Sequence, residues 1–237
     1  MESQILKSAL LFWVFHLILP SAYAKEIALT FDDAPSASTP YFETHKRTEE
    51  LIRKLDLLKI PSVLIFANPC KREDISSVLE QLKQYRDRGH VIGNHTCTHP
   101  RLDEVGFTQF ANDAERADQI LRPLFSRQKF FRFPYLNEGS DARIRDQMRE
   151  WLKSNQYRNG MVSADNEDPI FSYKLNQAKK LGKKINYEKV KRIFLRHILS
   201  SLACSDELAR EIIGYSPKHV LLLHEIDATV MFLDALV

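Results

Sequence analysis

Short apolar runs alternate with amphipathic helical patterns along most of this chain, and that alternation constrains its fold more than any other feature. Glu26-Ile27-Ala28-Leu29-Thr30-Phe31 reads as a strand, and residues 47 to 59 place Leu51, Ile52, Leu55 and Leu58 at helical spacing. Val63-Leu64-Ile65-Phe66 follows Pro61 as a second strand. A helix over about 74 to 88 carries Ile75, Val78, Leu79, Leu82 and Tyr85 and stops at Gly89, and 90 to 94 is a third strand. Residues 107 to 124 are helical. Phe130-Phe131-Arg132-Phe133 and Gly160-Met161-Val162-Ser163 read as a fourth and a fifth strand, and Val220-Leu221-Leu222-Leu223 as a later one. Strands separated by helices of this size imply βαβ units and a mainly parallel sheet, as a barrel or a doubly wound layer. Between 172 and 218 the pattern is helical throughout, with helices over 187 to 200 and about 206 to 213, the second ending at Gly214.

The first 24 residues follow a different logic. Lys7 precedes an apolar run, residues 9 to 19 interrupted by His16, and Ser21-Ala22-Tyr23-Ala24 supplies an A-x-A end. This is the pattern of a secretory signal peptide, with cleavage expected after Ala24 and one domain over 25–237. An uncleaved membrane anchor is the alternative, but the run is short for a span. No later segment is long and apolar enough to cross a bilayer. A net charge of +3, with no block of like charges, gives no footprint for nucleic acid. Cys70, Cys97 and Cys204 match no zinc-finger spacing. Export permits a disulfide, but the sequence does not pair them, and at least one is expected to be a small buried thiol.

Polar residues cluster just after the apolar runs. Asp32-Asp33 follows the first, His95-Thr96-Cys97-Thr98-His99 the third, Arg132 and Pro134-Tyr135 the fourth, Asp165 and Asp168 the fifth, and His224 the last. In a parallel α/β barrel such positions gather at one rim, where active sites lie. One carboxylate and two imidazoles suit a catalytic divalent cation, because they leave coordination positions open. The spacing of His95 and His99 puts both rings on one side of a helical turn, shortened by Pro100. A second carboxylate beside the cation can take a proton from water. Each signal has an ordinary structural reading: an Asp-Asp pair caps turns, a histidine pair packs, Arg132 pairs an ion and Tyr135 fills space. Five such sites, each directly after a strand, are hard to obtain by accident.

At these residues the chain resembles the polysaccharide deacetylase family, the NodB-homology or carbohydrate esterase family 4 group. Thr30-Phe31-Asp32-Asp33-Ala34-Pro35 resembles T-F-D-D-G-P, and His95 to Pro100 resembles H-[ST]-x-x-H-P. Phe131-Arg132-Phe133-Pro134-Tyr135 resembles F-R-x-P-Y, and Leu221-Leu222-Leu223-His224 resembles the closing L-L-L-H. The resemblance implies a distorted, incomplete (β/α) barrel. It also implies roles: Asp32 as general base; Asp33, His95 and His99 as ligands of zinc, with cobalt or nickel as alternatives; Arg132 as the residue that orients the base. It gives the backbone N–H of Tyr135 to an oxyanion hole, His224 to the general acid, and Asp168, with Asp165 as a rival, to the partner of that histidine. The expected partner is an acetylated glycan, and the expected reaction is metal-dependent removal of N-acetyl groups outside the cytoplasm.

The departures from the pattern are specific. Ala34 stands where the family has Gly, so the turn after Asp33 has to avoid a left-handed Ala34. Leu136 replaces a Gly after Tyr135, Pro169 follows Asp168 where Trp is common, and Ile226 stands where some relatives have Asn. Residues 228 to 237 read as an amphipathic helix cut short, where the family usually continues. Related activities on the same scaffold, O-acetyl ester or cyclic imide hydrolysis, and a carbohydrate-binding pseudoenzyme, are the competing readings.

Overall fold

The structure is a computed structural model and describes residues 26–237, so the signal-peptide assignment over 1–24 lies outside the described residues. Six strands form one sheet: β1 (Ile27–Ala34), β2 (Leu64–Ala67), β3 (Val91–Asn94), β4 (Lys129–Phe131), β5 (Tyr157–Asn159) and β6 (His219–His224). Their order is β5-β4-β3-β2-β1-β6, and every pairing is parallel. Helices α1 (Thr44–Leu57), α2 (Ile75–Asp87), α3 (Leu102–Leu121) and α4 (Ala142–Ser154) connect successive strands from β1 to β5. Helices α5 (Asp168–Lys180) and α6 (Tyr187–Ile213) precede β6, and α7 (Asp227–Leu236) follows it. The sheet curls into an incomplete (β/α) barrel.

The buried face of each helix is the apolar stripe of its sequence. Leu51 and Leu55 of α1, Val78 and Leu82 of α2, and Phe194 and Ile198 of α6 join Phe31, Ile65, Ile92 and Leu223 of the strands in one core. A second cluster seats α3 and α4 on the β4 edge through Phe110, Met148, Phe131 and Tyr157. Side chains close three helix starts: Asp74 accepts from Ser77 N–H at 3.0 Å, Asp141 from Ile144 N–H at 3.1 Å and Asn186 from Lys189 N–H at 2.9 Å. Helix α6 ends at Gly214, whose φ of +81° is open to glycine at little cost.

The structure corrects the sequence reading at several places. Gly160-Met161-Val162-Ser163 is not a strand; β5 is the preceding Tyr157–Asn159. The chain leaves the sheet at Gly160, whose N–H still reaches Phe131 O, and crosses to the far edge. There Ser163 N–H donates to Val220 O at 3.1 Å and Leu222 N–H to Ala164 O at 3.1 Å. This irregular segment bridges the two sheet edges where a full barrel would have further strands, which is why its apolar residues mimic a strand. The region 172 to 218 is not helical throughout, because residues 181 to 186, with a left-handed Gly182, separate α5 from α6. Conversely, 187 to 200 and 206 to 213 belong to one continuous helix. Helix α4 was not read from the sequence. Cys70 and Cys97 form a disulfide and Cys204 is exposed, so the expected small buried thiol is absent among the described residues. No helix among the described residues is long and apolar enough to cross a membrane.

Candidate active site

The polar residues that follow the strands converge at the carboxyl ends of the sheet. β1 would normally send Asp32 and Asp33 to opposite faces. The pairing of β1 with β2 shifts register between Phe31 and Ala34, and Asp33 adopts φ +62°. Aspartate tolerates this conformation better than most residues, and it turns the second carboxylate toward the same rim. Ala34 keeps a negative φ and enters a cis peptide bond with Pro35, so the left-handed step falls on Asp33 instead.

His95 and His99 lie on the loop after β3. The expected helical turn is not formed: Thr96 and His99 both have φ +64°, and the two rings meet edge to face with centroids 4.8 Å apart. Asn94 Oδ1 accepts from Thr96 N–H, and Asp113 takes the N–H groups of Cys97 and Thr98 at 2.8 and 2.9 Å, which fixes this irregular loop. The outcome is a three-donor cluster. One ligand atom each from Asp33, His95 and His99 lies within 4.8 Å of the others. His95 Nδ1 donates to the Arg132 carbonyl at 2.8 Å, which leaves the Nε2 lone pair free to bind. Burial drives His95 well below the ordinary imidazole range and pushes His99 down to about 4, so both rings are neutral. Burial opposes ionisation of Asp33, yet the Lys71 ammonium bonded to it favours the charged carboxylate and holds its carboxyl below the usual range. Neutral imidazoles beside an ionised carboxylate are the protonation states a divalent cation requires, so these residues fit one.

Asp32 is 2% exposed and flanks this cluster, its Oδ2 lying 3.6 Å from His95 Nε2. Arg132 Nη1 donates to Asp32 Oδ1 at 2.7 Å and to Thr30 Oγ1 at 2.7 Å, while its Nε donates to Gly160 O at 2.8 Å. The guanidinium lies 4.1 Å from the centroid of the Phe66 ring. Phe66 can occupy that space because Gly93 and Gly160 lack side chains; a Cβ at either would meet the ring at 2.6 or 2.3 Å. Burial pushes Asp32 up to about 6, against the opposing pull of Arg132.

Asp168 lies fully buried under His224, the register partner of Asp32 on β6. Its Oδ1 accepts from His224 Nδ1 at 2.8 Å; its Oδ2 accepts from His224 N–H at 2.9 Å and Thr229 Oγ1 at 2.7 Å. Asp165, the rival from sequence, is exposed and accepts from Asn166 N–H instead. Burial opposes a charged His224, but Asp168 outweighs it and raises the imidazole to about 9. Tyr135 closes the rim: it is 56% exposed, its ring lies 4.5 Å from that of His99, and Arg101 covers its face at 4.3 Å. Tyr135 and Leu136 both have positive φ, +58° and +51°. Leu136 therefore adopts a left-handed conformation at the position where the family motif has glycine.

Eight of the nine residues singled out from the sequence thus meet at one end of the sheet, while Asp165 is exposed and bonds its neighbour Asn166. The sequence reading missed Thr30, Thr229 and Lys71. Thr30 was within reach, two residues before Asp32 on a strand and hence on the same face. Lys71 lies four residues beyond the end of β2, and its place in the site depends on Asp33, which spacing does not reveal.

The family model for polysaccharide deacetylase matches residues 21–159, more than half of the chain. This chain belongs to the polysaccharide deacetylase family. Among its relatives, the peptidoglycan-N-acetylglucosamine deacetylase of Bacillus cereus is 31% identical over 111 residues, 46% of this chain and 36% of that protein. The chitin deacetylase of Arthroderma benhamiae is 28% identical over 112 residues, covering 46% and 27%. The chain thus spans well under half the length of these family members. The fold of a mutant CE4 family pseudoenzyme of Bacillus anthracis with restored enzymatic activity superposes with a TM-score of 0.61 at 15% identity, over 90% of this chain and 61% of that one.

Proposed function

We propose that this member of the polysaccharide deacetylase family is an exported, metal-dependent hydrolase that removes N-acetyl groups from a carbohydrate, with residues 25–237 as its catalytic domain. One observation carries the reading: the donor cluster Asp33, His95 and His99 lies beside a buried, arginine-held carboxylate, Asp32, whose register partner on β6 is a carboxylate-held imidazole, His224. That set holds what amide hydrolysis needs, a cation site, a base and an acid. The relatives that deacetylate peptidoglycan and chitin support a glycan substrate. The Cys70–Cys97 disulfide supports an oxidising compartment, periplasmic or extracellular.

Asp33, His95 and His99 would hold the cation, zinc in preference to cobalt or nickel. When bound, it supplies Lewis acidity toward the acetamide carbonyl and lowers the pKa of water. Asp32 then takes the proton from the attacking water. Arg132 keeps the carboxylate aimed through its bond to Oδ1, so that its second oxygen faces the donor cluster. The N–H of Tyr135 stabilises the oxyanion as the carbonyl becomes tetrahedral. With Nδ1 committed to Asp168, His224 Nε2 delivers its proton to the departing nitrogen. The C–N bond breaks, and acetate and a free amine leave.

Asp32→Asn keeps the shape of the site and removes the base. Acetate release from N-acetylglucosamine oligomers should fall by about 10²–10⁴-fold while zinc content, read by elemental analysis, stays unchanged. Full activity in that variant would refute the assigned base. Parallel assays on acetylxylan and cyclic imides separate N-deacetylation from ester and imide hydrolysis, and sugar binding without any turnover would mark a pseudoenzyme.

A further inference from the structure

The carboxylate oxygen that faces His99 at 3.5 Å, Asp33 Oδ1, also accepts from Lys71 Nζ at 2.9 Å. An ammonium therefore sits on the anionic donor of the cluster. Its base is not free to swing. Cys70 is bonded to Cys97, which lies between His95 and His99 in the chain, and Cys70 N–H donates to Cys97 O at 3.0 Å. Asn68 Nδ2 donates to the His95 carbonyl and, at 3.1 Å, to Thr96 O, and Lys71 N–H turns back to Asn68 O at 3.3 Å. The turn that carries Lys71 is thus fastened to the loop that carries both imidazoles. The pairing is set by the fold, and the lysine is part of the site's charge balance.

We propose that Lys71 is a built-in competitor for the divalent cation: in the metal-free protein its ammonium holds Asp33, and metal entry displaces it. The inference rests on the metal reading above. A unit positive charge at hydrogen-bond distance from the donor oxygen repels an incoming dication and takes up part of that oxygen's acceptor capacity. Two cations on that oxygen would repel each other strongly at this distance. The lysine tail is flexible and its side chain 37% exposed, so a displaced ammonium can move outward into water while Cys70 stays tethered. Lys71 would thereby set metal affinity below what Asp33, His95 and His99 reach alone, and hold the carboxylate in its ligating position until metal arrives.

The test is calorimetric titration of zinc into the chelator-stripped full chain, comparing wild type, Lys71→Met and Lys71→Arg, each checked for folding by its melting transition. Lys71→Met should bind zinc about tenfold more tightly or better, since a unit charge is removed next to the ion; Lys71→Arg, which keeps the charge, should bind no more tightly than wild type. Equal or weaker binding in folded Lys71→Met overturns the role of Lys71 and leaves the metal reading standing. Absence of zinc binding in both wild type and Lys71→Met overturns both. A crystal structure of the zinc-loaded wild type decides without any variant: Nζ beyond hydrogen-bond reach of Asp33 supports displacement, and a retained bond refutes it.

Discussion

Asp32 and His224 are register partners on the adjacent parallel strands β1 and β6. Side chains at paired positions of a parallel ladder share a face, so the proposed base and the proposed acid are set side by side by the sheet itself. Their environments separate them. Burial raises Asp32 to about 6; Asp168, working against burial, raises His224 to about 9. The base acts ionised, above about 6, and the acid acts protonated, below about 9. A dication in the donor cluster favours the carboxylate and disfavours the imidazolium, so in the zinc-loaded enzyme kcat/KM should follow a bell whose acid limb lies at or below about 6 and whose alkaline limb lies at or below about 9. A pH profile of acetate release checks it, and a profile flat from 5 to about 10 would contradict the pairing of roles.

Asp168→Asn removes the charge that holds His224 up, so the imidazole should return toward or below its ordinary value and the alkaline limb should move to lower pH. Activity at pH 8 is then lost more steeply than activity at about pH 6. The same pair gives a stability prediction. The folded pKa of His224 lies above its unfolded value of 6.5, so its contribution is fully present below 6.5 and is lost as pH rises through about 9. Thermal melts of the metal-free protein across that window should show a decline that Asp168→Asn abolishes.

Phe66 is the floor under Arg132, and the absence of side chains at Gly93 and Gly160 makes room for it. Gly160→Ala forces the ring against the guanidinium and should destabilise the fold by about 1–3 kcal/mol. Because Arg132 aims Asp32, kcat should fall more than KM changes. A denaturation midpoint and a kinetic split on the same sample test both parts.

Arg47 and Asp227 form an ion pair in which each side chain is 1% exposed. Arg47 also donates to the carbonyls of Ser36 and Ala37, which pins the loop after β1 to the start of α7. Asp227→Ala leaves a buried guanidinium without its anion and should cost about 3–5 kcal/mol. Urea denaturation measures it. The pinned carbonyls follow Asp33 by three and four residues, and Ser36 Oγ donates to Asp33 O at 3.0 Å, so zinc binding should weaken together with the fold.

Much of this was legible in the sequence because both the sheet and the site use local rules. Strands with continuous apolar runs, such as Leu221-Leu222-Leu223, and helices with stripes, such as α2, read directly. The polar residues at strand ends read with them, since a parallel sheet gathers those ends. The segment 160 to 163 misled because its apolar residues cover a barrel seam without entering a ladder, and a seam and a strand have the same composition. The break at 181 to 186 carries its own signals, left-handed Gly182 and the capping Asn186, but the helix-forming residues on either side masked them. The loop of His95 and His99 misled because left-handed conformations at Thr96 and His99 are set by Asn94 and Asp113, partners that spacing alone does not show. Lys71 was passed over because its significance depends on a carboxylate 38 residues away in sequence.

The account turns on whether one divalent cation, held by Asp33, His95 and His99, switches on amide hydrolysis. Acetate release from N-acetylglucosamine oligomers, followed while zinc is titrated into chelator-stripped protein, measures this most directly. The account predicts no release without metal and a rise that saturates at one equivalent of zinc. Undiminished release from the stripped protein, or none at any zinc, cobalt or nickel concentration, would contradict it.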